Sequence, residues 1–121
     1  MRATPKQLKA IYTMLLEMPP FQRWGLPEPN KVKFVIVNDP QSHGHYVPPE
    51  DTEKHEIAIN SYSHTTLLDH IMTVAHEMGH MRQAAIGRLP DTHDQVKVHN
   101  HSWQRIARVI CEALGFPAAN F

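Results

Sequence analysis

The stretch "VAHEMGHMRQ", residues 74–83, sets His76, Glu77 and His80 in a pattern that can do chemistry. On a helix, His76 and His80 lie one turn apart on the same face. Two imidazoles so placed can hold one Zn²⁺. Glu77 is rotated by about 100° around the helix from His76. It is therefore poorly placed as a third ligand and well placed to take a proton from a metal-activated water, which is the mechanical content of HExxH. In a chain with 10 histidines, chance yields this pattern about 0.05 times. The match is thus informative, but it needs two supports: the segment must be a helix, and a later element must bring a third ligand.

The downstream stretch "KVHNHSWQRIARVICEALGF" offers that ligand twice. His99 and His101 stand just before, or at the start of, a last helix. Either completes three protein ligands and leaves a fourth position open, as a catalytic zinc requires. His93 and Asp94 are weaker candidates in the same connection. Glu112 suits a carboxylate-ligand version but has no supporting partner. If both His99 and His101 bind, the site is closed and the reading changes to a zinc-stabilised binding or interaction protein without turnover. His101, Tyr46 and Tyr62 are the candidates to stabilise an oxyanion. Asp69, seven residues before His76 on nearly the same face, can orient a ligand, although a solvated helix charge is the simpler expectation.

The elements that must position these residues are legible in outline. Thr4 and Pro5 start a helix, which Leu8, Ile11, Tyr12, Leu15 and Leu16 continue at helical spacing and Pro19 and Pro20 stop. Residues 19–30 form a Pro-rich loop that Phe21 and Trp24 pin to the core. "KVKFVIV", 31–37, is a strand, and "HEIAINSY", 55–62, a second with Ile57 and Ile59 on one face. "SHGHYVPP" offers a short edge strand around 43–47, where His43 and His45 read as surface residues. Ser63, Thr65 or Thr66 caps the helix at 66–86, whose core stripe is Leu67, Ile71, Val74, Met78, Met81 and Ala85. His55, His64 and His70 are expected in solvent or at caps. A polar connection leads to a helix at 101–114 with Trp103, Ile106, Ala107, Ile110 and Leu114 inward. Helix, two or three strands, helix, helix is an α+β arrangement, expected as one domain over residues 1–121.

Composition narrows the function classes. Twelve basic residues balance twelve acidic ones, so no global basic field draws in nucleic acid or an anionic membrane. The single cysteine, Cys111, excludes an internal disulfide and a CxxC zinc ribbon; it is expected beside the core, and a reducing cytoplasm fits. The first twenty residues lack a signal-peptide core, and no stretch approaches a membrane span.

"INSYSHTTLLDHIMTVAHEMGHM", then "HNHSW" and a terminal helix, resembles the catalytic core of the SprT-like zinc metallopeptidases, including small phage-type forms without the zinc ribbon. The resemblance covers roughly residues 31–116. It implies a zincin-like fold, a zinc cofactor, a protein or peptide substrate and Glu77 as general base. That family pairs HExxH with a downstream histidine followed four residues later by an aromatic. His99 and Trp103 have this spacing, so the resemblance favours His76, His80 and His99 as the ligands. Asn100 stands where the family usually has glycine. Relatives of this kind act on DNA-bound proteins through added elements, so nucleic acid enters as a partner by resemblance only, against the neutral charge.

Overall fold

The computed structural model describes residues 2–38, 43–50, 54–60, 66–92 and 94–121. It begins with α1, Pro5–Leu16. Thr4 caps it: its hydroxyl accepts from Gln7 N while the Gln7 side chain accepts from Thr4 N. Two of the donors that every helix start leaves orphaned are thereby satisfied. Leu8, Ile11, Tyr12 and Leu15 are buried, as their spacing predicts. The Pro-rich loop that follows holds two 3-10 turns, Phe21–Arg23 and Pro29–Lys31. Phe21 is buried and meets Trp24 edge-on, and the Arg82 guanidinium lies over the Trp24 ring.

Three strands form one mixed sheet: β1, Val32–Val37; β2, Gly44–Val47; and β3, His55–Asn60. The order is β1-β3-β2. β3 pairs parallel with β1, from Val32 opposite His55 to Val37 opposite Asn60. It pairs antiparallel with β2, from Gly44 opposite Ile59 to Val47 opposite Glu56. The last strand in sequence is therefore the central one, and β2 is an edge. Central placement explains why Ile57, Ala58, Ile59 and Asn60 are all buried, where the alternating sequence predicts only the isoleucine face.

The long helix α2, Leu67–Ala85, is capped by Thr66. Asp69 closes its capping box by accepting from Thr66 N at 3.1 Å, so the role that structure gives this carboxylate is at the helix start. The ends of α2 depart from the predicted stripe: Leu67 and Ala85 are exposed. Its middle departs the other way, because Glu77, Met78, Gly79, His80 and Met81 are buried in succession. The reason is that α2 packs against α1 and the sheet on one side and against the last helix on the other. That helix is α4, His101–Leu114, with Trp103, Ile106, Ile110 and Cys111 buried. The polar connection contains a further one-turn helix, α3, Gln95–Val98, capped by Asp94. Sequence pattern did not reveal it, since one helical turn carries no period. Among the described residues, no helix is long and apolar enough to cross a membrane.

The close fit between α2 and α4 falls on Gly79. A Cβ there would lie 2.5 Å from Cζ3 of Trp103 and 3.2 Å from Cδ1 of Ile110. A mid-helix glycine costs about 1 kcal/mol relative to alanine, but forcing a methyl into a packed seam costs about 1–3 kcal/mol. Gly79→Ala is therefore expected to lower stability by up to about 2 kcal/mol in urea unfolding, the better helix propensity offsetting part of the clash. A more stable variant would show that the seam is loose.

Candidate metal centre

α2 presents His76 and His80 from successive turns. His99 arrives from the far side of the connection, as the residue that ends α3 and immediately precedes Asn100, the N-cap of α4. One ring nitrogen from each of the three histidines lies within 4.8 Å of the others. Nε2 of His99 is 3.2 Å from Nε2 of His76 and 3.2 Å from Nε2 of His80. These three side chains can hold a metal ion.

The opposite edge of each ring fixes its protonation. His76 Nδ1 is 2.7 Å from the main-chain oxygen of Phe121, and His99 Nδ1 is 2.9 Å from that of Gln95. Both oxygens act as acceptors here, so both Nδ1 atoms carry the proton. His80 Nδ1 is 2.9 Å from Oε1 of Gln83. The Gln83 amide is oriented by its own nitrogen, which donates toward the carbonyls of Val98 and Arg88. His80 Nδ1 is therefore a donor as well. Burial holds all three rings neutral: it pushes His76 down to about 3 and His80 down to about 4, with the neighbouring imidazoles adding to the shift on His76, and it lowers His99 too. Neutral rings protonated at Nδ1 leave three Nε2 lone pairs converging on one point. Tetrahedral zinc with bonds of about 2.0–2.1 Å sets its ligand atoms about 3.3–3.4 Å apart, so the donor set fits such an ion.

Trp103 forms the wall of the centre. Its ring stacks on His80 at 4.1 Å and 16° and tilts against His76 at 4.4 Å. Glu77, between the two α2 histidines in sequence, is buried. Burial pushes its carboxyl up to about 8. A divalent cation beside it would draw that value back down.

The other sequence candidates lie apart from this cluster. His101 is exposed on the first turn of α4 and is not in the three-histidine group. Glu112 is exposed on α4, and Asp94 caps α3. The Tyr46 hydroxyl is 2.6 Å from Nδ1 of His55. Tyr62, His64 and His93 lie outside the described residues. His45 pairs with Glu56 at 2.9 Å across β2 and β3, on an exposed face. His70 corrects its expectation: it is 2% exposed, and its Nδ1 lies 2.6 Å from the carbonyl of Thr66, because α2 turns this face inward from its first turn.

Sequence reasoning did not find the groups that hold the rings. Gln83 is three residues beyond His80 and fully buried, and Asn100 bridges it to α4. The Asn100 side chain accepts from Trp103 N at 3.1 Å, which explains an asparagine at this helix start. A buried glutamine at helical spacing from His80 was the available signal. The main-chain oxygens of Gln95 and Phe121 leave none, since backbone acceptors are not written in residue type.

The three buried groups make a pH prediction for the metal-free protein. His76 and His80 stay neutral in the fold to well below their ordinary 6.5. Unfolding lets them take up protons, so stability falls as pH drops below 6.5. Glu77 acts oppositely: the fold keeps its proton from the ordinary 4.5 up to about 8, so its contribution is lost as pH rises through that window. Two histidines outweigh one carboxyl below about pH 6.5, and Glu77 dominates above it. The melting temperature without metal should peak near pH 6.5; a steady rise to pH 8 would contradict the burial of Glu77. Comparison with protein-family models, with curated proteins and with solved structures gave no match, so the functional reading of this centre rests on its own geometry.

Proposed function

We propose that this protein is a zinc-dependent peptidase that hydrolyses peptide bonds, with His76, His80 and His99 as the metal ligands and Glu77 as the general base. The observation that carries the reading is the three-imidazole cluster, in which Nε2 of His99 lies 3.2 Å from Nε2 of both His76 and His80, with the buried Glu77 next to His76 in α2. Three protein ligands leave a coordination position free, and a purely structural zinc would close it with a fourth. The proposal agrees with the resemblance of this stretch to the SprT-like metallopeptidases.

Zinc bound there would supply a Lewis acid that polarises the scissile carbonyl and acidifies a water. The remaining chemistry belongs to the chain. The Glu77 carboxylate takes the proton from the attacking water and delivers it to the departing amine nitrogen. Burial raises its proton affinity in the metal-free fold, and a cation beside it would lower that value again, toward the range in which one carboxyl serves first as base and then as acid near neutral pH. Trp103 and Gly79 hold the α2 rings against α4, so the ligand nitrogens do not reorganise during the reaction. The outer edge of β2, a neighbour of α2 in the fold, suits an extended peptide added as a further strand. Zero net formal charge gives no support to a nucleic-acid partner.

Two substitutions separate the roles. Glu77→Gln should lower the turnover of a cleaved peptide by at least about 10²-fold while the protein still takes up one zinc; cleavage at the wild-type rate would sink the mechanism. His99→Ala should lose most zinc affinity in a chelator competition, whereas His101→Ala should keep it. The reverse order would move the third ligand to His101.

A further inference from the structure

The segment after α4 makes contacts that the proposed reaction does not use. Gly115 ends the helix in the left-handed conformation, at φ 74°. The chain then turns back through Phe116 and a 3-10 turn at Ala118–Asn120 to Phe121. The Phe121 main-chain oxygen receives the Nδ1–H of His76 at 2.7 Å. Its ring lies 5.4 Å from the His76 ring, stacks on Trp103 at 6.0 Å and 5°, and stacks on Phe116 at 5.7 Å and 20°. Both phenylalanines pack against the hydrophobic core while remaining partly exposed.

We propose that residues 116–121 form a positioning strap: the Phe121 main-chain oxygen selects the tautomer and orientation of His76, and the strap thereby sets the affinity of the centre for metal. This rests on the reading that the three imidazoles hold a divalent ion. His80 and His99 receive their orienting acceptors from residues three and four positions away in sequence, Gln83 and Gln95. The acceptor of His76 is 45 residues away, on a segment whose hold on the rest of the protein is mainly aromatic. A neutral imidazole without it can carry its proton on Nε2, where the metal must bind. Loss of such an orienting partner typically weakens metal binding 10–100-fold. Linkage makes the effect reciprocal, so metal binding must tighten the strap by the same factor.

The test compares the wild-type chain, Phe121→Ala, which keeps the main-chain oxygen and loses the ring that seats it, and a chain lacking residues 118–121. Histidine ¹⁵N NMR on the metal-free proteins reads the His76 tautomer. Zinc titration against a chelator reads affinity, and amide exchange with and without zinc reads the strap. We expect His76 protonated at Nδ1 in the wild type and a mixture of tautomers in the deletion. Zinc affinity should fall 10–100-fold in the deletion and in the same direction in Phe121→Ala. Zinc should slow exchange of the Phe121 amide in the wild type. An unchanged tautomer together with zinc affinity within twofold of wild type overturns the strap. If the wild-type chain takes up no zinc at all, the metal reading fails, and the tautomer comparison still decides whether Phe121 positions His76.

Discussion

Three Nδ1–H hydrogen bonds hold the centre together. Each imidazole has its outer edge tied to an acceptor from a different part of the chain: Gln83 within α2, Gln95 in α3, and Phe121 beyond α4. Because all three are tied at Nδ1, all three present a lone pair at Nε2. The three-histidine cluster is therefore a property of the assembled fold and not of HExxH alone. Helical spacing places His76 and His80 near each other, but α3, α4 and the end segment decide which nitrogen each ring offers.

That arrangement has an energetic consequence. Three neutral imidazoles, with Nε2 atoms of two pairs 3.2 Å apart, oppose one another's lone pairs unless a cation joins them. Glu77, next to His76 in α2, adds a carboxyl that burial pushes up to about 8. Opposed polar groups of this kind collect at functional sites. The packing that tolerates it is dense and apolar. Trp103 covers the α2 rings, Gly79 leaves room for its indole, and Met78, Met81 and Ile110 close the core behind. The scaffold thus holds polar atoms in an apolar setting, where their interactions with an ion or a substrate are strongest.

Much of this was legible in residue order. The caps at Thr4 and Thr66 and the stripes of α1 and α4 follow from local chemistry, which sequence records directly. So does the facing pair His76 and His80, which helix spacing fixes; the residues alone left the third position open between His99 and His101, and only the resemblance to the SprT-like metallopeptidases favoured His99, which the cluster contains. The rest depended on tertiary placement. β3 is the third strand in sequence and the central one in space, and only the crossover decides that. α2 carries no simple inner and outer face because two layers enclose its middle, so its predicted stripe was too long at both ends and too narrow at the centre. His70 and Gln83 look like surface residues by type, and burial by distant elements makes them structural. The anchors supplied by backbone carbonyls are invisible to any reading of side chains.

The central claim is that the three Nε2 atoms share one metal ion. Crystallography of the zinc-loaded protein, with anomalous scattering measured on either side of the zinc edge, tests it most directly. The account predicts one zinc per chain, bound by Nε2 of His76, His80 and His99, with no fourth protein ligand. A protein that crystallises from zinc with no anomalous peak at these rings, or a zinc closed by His101, would contradict it.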